Sequence, residues 1–225
     1  MTHSFGKDYW EQHWDQAGDP TARVAEPGAA NPHLVREVAG LTPGTALDAG
    51  CGAGAEALWL AERGWQVTAA DISRAALAQA ALSAPSSGTE RVDWVEADLT
   101  SWDPQQLFDL VVTNYAHPAI PQLAFYDRLS SWVAPGGTLL IVGHLHAAGP
   151  AHGHGQVHGS AAQQGDEPVH GNEPPVEATV TLADITARLD PRMWRIDTAE
   201  EQTRERPGGQ GLPLHDVIVR ARRLR

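Results

Sequence analysis

The chain predicts an α/β fold built on a mostly parallel, doubly wound sheet. Three observations carry that expectation. Short apolar strands alternate with helix-forming stretches from Thr45 to Gly143. The first of those strands runs straight into the turn Gly50-Cys-Gly-Ala-Gly54 and then a helix. Strand after strand ends in a polar residue: Asp48, Asp71, Asp98 and Asn114. Alternation of this kind lays helices on both faces of a parallel sheet. Ligands of such sheets bind beyond the carboxyl ends of the strands, so these polar tips should converge on one crevice.

Taken in order, Lys7–Trp14 reads as one or two helical turns. Tyr9, Trp10, His13 and Trp14 then crowd one side at i, i+1, i+4 and i+5. Residues 17–30 carry two Pro/Gly stretches that read as flexible chain. Asn31 then caps a helix that has Pro32 at its first position. Pro43-Gly44 turns into the first strand, Thr45–Ala49. Helices are expected at about 54–63 and 74–83, with strands at Gln66–Asp71, Val92–Leu99 and Phe108–Tyr115. A further helix is expected from near Pro118 to about Trp132. Ala134-Pro-Gly-Gly137 should then turn into the strand Thr138–Gly143. After a long interruption come a helix capped by Thr179 or Thr181, and two strands, Arg192–Ala199 and Leu214–Arg220, joined through Pro207–Gly211.

The glycine turn carries the chemistry. Gly50, Gly52 and Gly54 lack the side chains that would keep a ligand off the backbone. The helix that follows aims free N–H groups into the turn. Asp48 stands just ahead of it, where a pyrophosphate would meet a like charge and a ligand bearing an ammonium and a sulfonium would be attracted. Asp71 lies about 20 residues past the first glycine, the spacing expected for gripping ribose hydroxyls. Asp98-Leu99 pairs an acceptor for an exocyclic amine with an apolar residue for a purine face. The same turn also satisfies the loose dinucleotide pattern G-x-G-x-x-G/A, which keeps an NAD(P)-dependent oxidoreductase as an alternative.

The ordered series of strand ends resembles the class I S-adenosylmethionine-dependent methyltransferases over residues 31–145. The tail Leu214–Arg220 is similar to that family's last strand. The Tyr9-Trp10-x-x-x-Trp14 opening looks like small-molecule members of the thiopurine, tellurite-resistance and ubiquinone-biosynthesis type. The resemblance implies a Rossmann-like, seven-stranded sheet with an antiparallel last strand, and S-adenosyl-L-methionine as cofactor. It also implies that Asp48 and the Gly50, Cys51, Gly52, Gly54 turn hold the methionine end. By the same analogy Asp71 holds the ribose, Ile72 flanks the adenine, Asp98 and Leu99 read its amine, and Asn114 completes the site. Asn114-Tyr-Ala-His-Pro118 departs from the Asn-Pro-Pro-aromatic motif of DNA-amino methyltransferases.

Composition bounds the partners. The 225 residues suit one domain, with 1–30 as a lid or cover and 144–176 as an inserted loop. A net charge of −12 repels phosphate backbones, so a small-molecule acceptor is expected and nucleic acid is not. The basic run Arg220–Arg225 reads as a solvated tail. No apolar run is long enough for a bilayer and no signal-peptide pattern opens the chain, so a cytoplasmic location is expected with no membrane partner. Cys51, the single cysteine, reads as a small residue tolerated in a crowded turn.

For the transfer itself, His117 and His144 are the candidate bases near the ends of the fourth and fifth strands. His144 is favoured because it follows Gly143 directly at the mouth. Tyr115 should border the acceptor. Tyr9, Trp10 and Trp14 form either a packed cover or a lid whose aromatic faces suit a sulfonium. Residues 144–175 hold six of the 11 histidines (His144, His146, His152, His154, His158, His170) among glycines, alanines and prolines. That stretch reads as a low-complexity surface loop, with metal capture at His152, His154 and His158 as a further alternative.

Overall fold

A computed structural model describes residues 5–17, 29–84, 89–145, 178–204 and 213–225. The apolar runs become strands β1 (Thr45–Ala49), β2 (Gln66–Asp71), β3 (Val92–Glu96), β4 (Phe108–Asn114), β5 (Val133–Leu145), β6 (Thr179–Val180), β7 (Trp194–Arg204) and β8 (Leu214–Arg223). They form one sheet in the order β3-β2-β1-β4-β5-β8-β7, with β6 paired to β5. Strands β1 to β5 are mutually parallel. Strand β8 is antiparallel to both β5 and β7, so β7 runs in the direction of β5. Arg204, the last residue of β7, therefore reaches the same carboxyl edge as Asn114.

The helices are α1 (Lys7–Ala17), α2 (Pro32–Val38), α3 (Ala55–Glu62), α4 (Arg74–Ser83), α5 (Gln122–Ser131) and α6 (Leu182–Ala187). Side chains alternate across a strand, and the two apolar cores follow that period. Leu47, Val111 and Ile141 pack with Phe125 and Leu129 of α5 and Ile185 of α6 on one face. Ala46, Leu110, Val112 and Leu140 pack with Leu34 of α2 and Leu60 of α3 on the other. Such two-sided burial is what makes the central strands near-continuous apolar runs. Side-chain caps start the helices where expected. Asn31 Oδ1 accepts from His33 N at 2.9 Å, Ser73 Oγ from Ala76 N at 3.1 Å, and Thr181 Oγ1 from Asp184 N at 3.1 Å.

The architecture matches the expected doubly wound sheet, with differences in detail. Two-residue β6 brings the sheet to eight strands instead of seven. Helix α1 is longer than one or two turns, at 11 residues. Helix α5 starts at Gln122 with Pro121 as its cap residue, not at Pro118. Ala134–Gly137 lies inside β5, where the pairing with β4 shifts register between Phe108 and Leu110, instead of forming a turn before it. The basic end is not wholly a solvated tail. Arg220 Nη1 donates to Glu37 O at 2.8 Å and Arg223 Nη1 to Val133 O at 2.5 Å, because β8 extends through Arg223. Among the described residues no helix is long and apolar enough to cross a membrane.

Candidate active site

Strand order reverses between β1 and β4, and the glycine turn leaves β1 at that switch point, where ligands of open α/β sheets sit. Gly50 N and Cys51 N both donate to Ala70 O, at 2.8 and 3.1 Å, binding the turn to β2. Gly50, Gly52 and Gly54 have φ of +79°, +51° and +80°, a region costly to residues with a Cβ. Space is short as well. A Cβ at Gly50 would lie 2.4 Å from Ala116 Cβ, and one at Gly54 would lie 2.4 Å from Trp94 Cη2. One at Gly52 would meet the Trp14 ring at 2.8 Å.

Asp71 fastens the tip of β2 to that turn. Its Oδ2 accepts from Gly52 N at 2.8 Å and its Oδ1 from Ser73 N at 2.9 Å. Burial raises its pKa, and these backbone donors oppose the rise. Asp71, Ile72, Asp98 and Leu99 all face a cavity of about 1070 Å³ that runs along the carboxyl edge. Leu99 is buried. Asp98 Oδ1 accepts from Thr100 N at 2.9 Å and from its hydroxyl at 2.7 Å. Cys51 lines the same wall, and burial pushes its thiol pKa well up.

Asp48 sits elsewhere than expected. It is 1% exposed, accepts from Ala57 N beneath the turn, and is not among the residues lining the cavity. Its Oδ2 has no hydrogen-bond partner. Burial, with Glu56 and Asp71 nearby, lifts its pKa well above the usual carboxylate range. The acid that faces the cavity at this end is Glu56, on the first turn of α3. Its Oε1 accepts from Asn31 N at 3.0 Å, and burial raises its pKa too. Sequence reasoning passed over Glu56 because it follows the motif. The outward face of a helix's first turn was the available signal.

Past the turn, Asn114, Tyr115 and His117 carry the wall onward. Both side-chain atoms of Asn114 are buried with no partner, a cost the fold bears only where a ligand or water completes the bonds. Tyr115 has φ of +54°, and burial pushes its phenol pKa up to about 12. Its hydroxyl accepts from Arg204 Nη2 at 2.9 Å. Arg204 Nε donates at 2.6 Å to Oδ2 of the fully buried Asp216, and the same oxygen lies 3.1 Å from His33 Nε2. Neither Arg204 nor Asp216 was read as a site residue. They come from β7 and β8, far from the motif in sequence, and only the sheet order brings Arg204 to the cavity with Asp216 buried behind it.

The two candidate bases exchange places. His117 lines the cavity, its Nδ1 is buried without a partner, and burial pushes its pKa down to about 4. His144, favoured from sequence, is not on the lining. Its ring stacks on Tyr115 at 4.6 Å and on His117 at 5.3 Å. The strand simply continues past Gly143, so His144 still alternates with the sheet.

Helix α1 packs along the cavity. Glu11 accepts from Ser73 Oγ, Arg74 N and Ala75 N at 2.9, 2.9 and 3.0 Å, capping α4 from outside. Trp10 Nε1 donates to His117 O at 3.1 Å, Gln79 Nε2 to Trp14 O at 2.8 Å, and Lys7 pairs with Glu96. Trp10 and Trp14 line the cavity together with Phe5 and His13, which sequence reasoning had not assigned to it. Tyr9 does not. It is 38% exposed and packs edge-on against Phe5 and Trp10. Of the histidine-rich stretch, His146, His152, His154, His158 and His170 lie outside the described residues. Among the described residues no group of three His, Cys, Asp or Glu is placed to hold a metal ion.

Comparison with known proteins agrees with this geometry. The methyltransferase domain family matches residues 46–137. Trans-aconitate 2-methyltransferase of Streptomyces avermitilis is 36% identical over 143 residues, 60% of this chain and 49% of that protein. Thiocyanate methyltransferase 1 of Arabidopsis thaliana is 32% identical over 151 residues, 63% and 64% of the two chains. The chain thus spans between about half and two thirds of the length of these relatives. Magnesium protoporphyrin IX methyltransferase of Synechocystis PCC 6803, solved with bound SAH, shares the fold at a TM-score of 0.65 and 18% identity, over 96% of this chain and 99% of that one. Over residues 46–137 the chain is thus similar to the methyltransferase domain family, and it shares the fold of a methyltransferase solved with bound SAH. The nicotinamide and metal-protein alternatives find no support.

Proposed function

We propose that this protein transfers a methyl group from S-adenosylmethionine to a small-molecule acceptor in the cavity along the carboxyl edge. The observation that carries the reading is Asn114, an unpartnered buried amide on the cavity wall beside a glycine turn that has no room for a Cβ. Asp71 would accept from the ribose hydroxyls, Ile72 and Leu99 would sandwich the adenine, and Asp98 would accept from its amine. Glu56 supplies the negative charge for the ammonium end, with Asp48 behind it. Trp10 and Trp14 offer aromatic faces to a sulfonium. Bound there, the cofactor supplies an electrophilic methyl on sulfur, and its departure leaves a neutral thioether that needs no proton.

The chain's own part is to hold an acceptor in line, roughly 3–3.5 Å from the methyl carbon, in a dry site. Tyr115 and His117 border that position. With a pKa near 4, His117 is neutral at physiological pH. A neutral ring of that pKa can offer a hydrogen bond to the acceptor but is too weakly basic to draw a proton from an alcohol or an ammonium. His144 steadies the rings from behind. Helix α1 serves as the cover.

The net charge of −12 favours a diffusible acceptor over nucleic acid, and we assign the protein to the cytoplasm. Calorimetry with S-adenosylhomocysteine tests the reading. Micromolar, stoichiometric binding is expected, reduced at least tenfold by Asp71→Ala. No heat at millimolar ligand would reject it.

A further inference from the structure

The cavity is divided in charge along its length. Its acids, Glu56, Asp71 and Asp98, stand over the β1–β3 half of the sheet. Arg204 is the single Lys or Arg among the described residues that line it, and it stands at the end of β7, the strand farthest from β3. Its guanidinium is held in one orientation by two different partners. Nε is anchored on Asp216 at 2.6 Å and Nη2 on the Tyr115 hydroxyl at 2.9 Å. The Tyr115 ring also faces the guanidinium carbon, at 5.8 Å. Asp216 is 0% exposed, so the anchor cannot swing into solvent. A fork fixed in this way loses little freedom when it binds, and its planar donors match a carboxylate.

We propose that the methyl acceptor carries a carboxylate, recognised by Arg204, on a part of the molecule other than the atom that is methylated; Tyr115 and Asp216 are positioning residues. The proposal rests on the methyl-transfer reading above. The division of labour follows from charge. A lone pair on the acceptor forms the new bond to the methyl carbon as the carbon–sulfur bond breaks, and that electron pair stays on sulfur. The reacting atom gains positive charge along this path, so a guanidinium against it would oppose the reaction. Placed on a remote carboxylate, the same guanidinium binds ground state and transition state equally, which lowers KM and leaves kcat alone.

The test uses the protein saturated with S-adenosylhomocysteine and titrated by calorimetry with succinate, fumarate and trans-aconitate, with their methyl esters and with thiocyanate. At least one carboxylate should bind, and its ester should bind at least tenfold more weakly. Arg204→Gln should weaken the carboxylate at least tenfold while S-adenosylhomocysteine affinity stays within twofold, and Arg204→Lys should fall between. With methyl donor present, KM for that carboxylate should rise and kcat should hold. If Arg204→Gln unfolds because Asp216 is left unpaired, Arg204→Lys and Tyr115→Phe carry the comparison. No binding by any of the three carboxylates, equal binding of the esters, or indifference to Arg204 overturns the proposal. Failure of S-adenosylhomocysteine to bind wild type is a separate result and rejects the methyl-transfer reading itself.

Discussion

The two halves of the cavity are built by different rules. Over β1 to β3 the wall is one continuous turn plus the tips of consecutive parallel strands, and most of its polar contacts are backbone N–H groups meeting Asp71 or Asp98. Over β4 to β8 the wall is side chains drawn from Phe5 to Arg204, held by ring stacking and by the Arg204–Asp216–His33 cluster. Backbone construction fixes a shape that only glycine satisfies. Side-chain construction allows any residue that fits its neighbours. The first half should therefore be intolerant of substitution and common to relatives, and the second free to differ with the acceptor.

The sharpest way to break the contrast is Gly50→Val. A β-branched residue at φ +79° with its Cβ 2.4 Å from Ala116 combines left-handed strain of about 1–2 kcal/mol with overpacking of about 1–3 kcal/mol. Unfolding in urea should show a loss of that combined size, a large share of a typical domain's stability, and S-adenosylhomocysteine binding should vanish. A Val variant as stable as wild type would mean the turn is not under the constraint its geometry implies. Next in size is Asp71→Ala, which removes the acceptor of Gly52 N and Ser73 N together. Calorimetry should show cofactor-product affinity down about 10–100-fold, the range of one to two charge-assisted hydrogen bonds.

The same contrast governs what could be read from sequence. The first half was legible because its signals are local: three glycines, an acid at each strand tip, a capping Asn31 or Ser73. Asp48 shows the limit of that legibility. The motif placed it correctly at the strand end, yet period-two alternation and the following helix carry it beneath the turn to Ala57 N, and Glu56 takes the place on the cavity wall. The second half was legible only in part. Tyr115 and His117 follow β4 directly and line the cavity, but Arg204 and Asp216 come together through the antiparallel insertion of β8, a pairing no local pattern records. His144 lies off the lining for a related reason, since β5 runs on through Leu145 instead of ending at Gly143.

Asp48 also gives the contrast a pH signature. Folding raises its pKa, so the folded chain holds that proton more tightly than the unfolded one. Its contribution is favourable below the ordinary carboxylate value of about 4, and stability is lost as pH rises from there through the folded value. Asp48→Asn removes that loss. At pH 7, without ligand, its melting temperature should exceed wild type by about 2–4 °C for each kcal/mol relieved, and the two curves should converge toward pH 4. The cationic cofactor should bind the variant more weakly. A variant that melts with wild type at every pH would show the buried carboxylate to be satisfied in the free protein.

The smallest effect tests the seam between the halves. Glu11 reaches from α1 to Ser73 Oγ, Arg74 N and Ala75 N, capping α4 beside Asp71, while Trp10 on the same helix reaches His117 O across the cavity. Glu11→Ala frees the two backbone donors to water, at about 0.5–2 kcal/mol for a lost cap, and loosens an element that touches both walls. Because Ser73 still caps Ala76 N, α4 itself should persist. The change should appear as faster hydrogen exchange confined to α1 and the first turn of α4, with S-adenosylhomocysteine affinity lowered only a few-fold. If exchange in α1 stays at the wild-type rate, Glu11 does not hold the helix, and Trp10 on His117, Gln79 on Trp14 and Lys7 on Glu96 are enough to keep it in place.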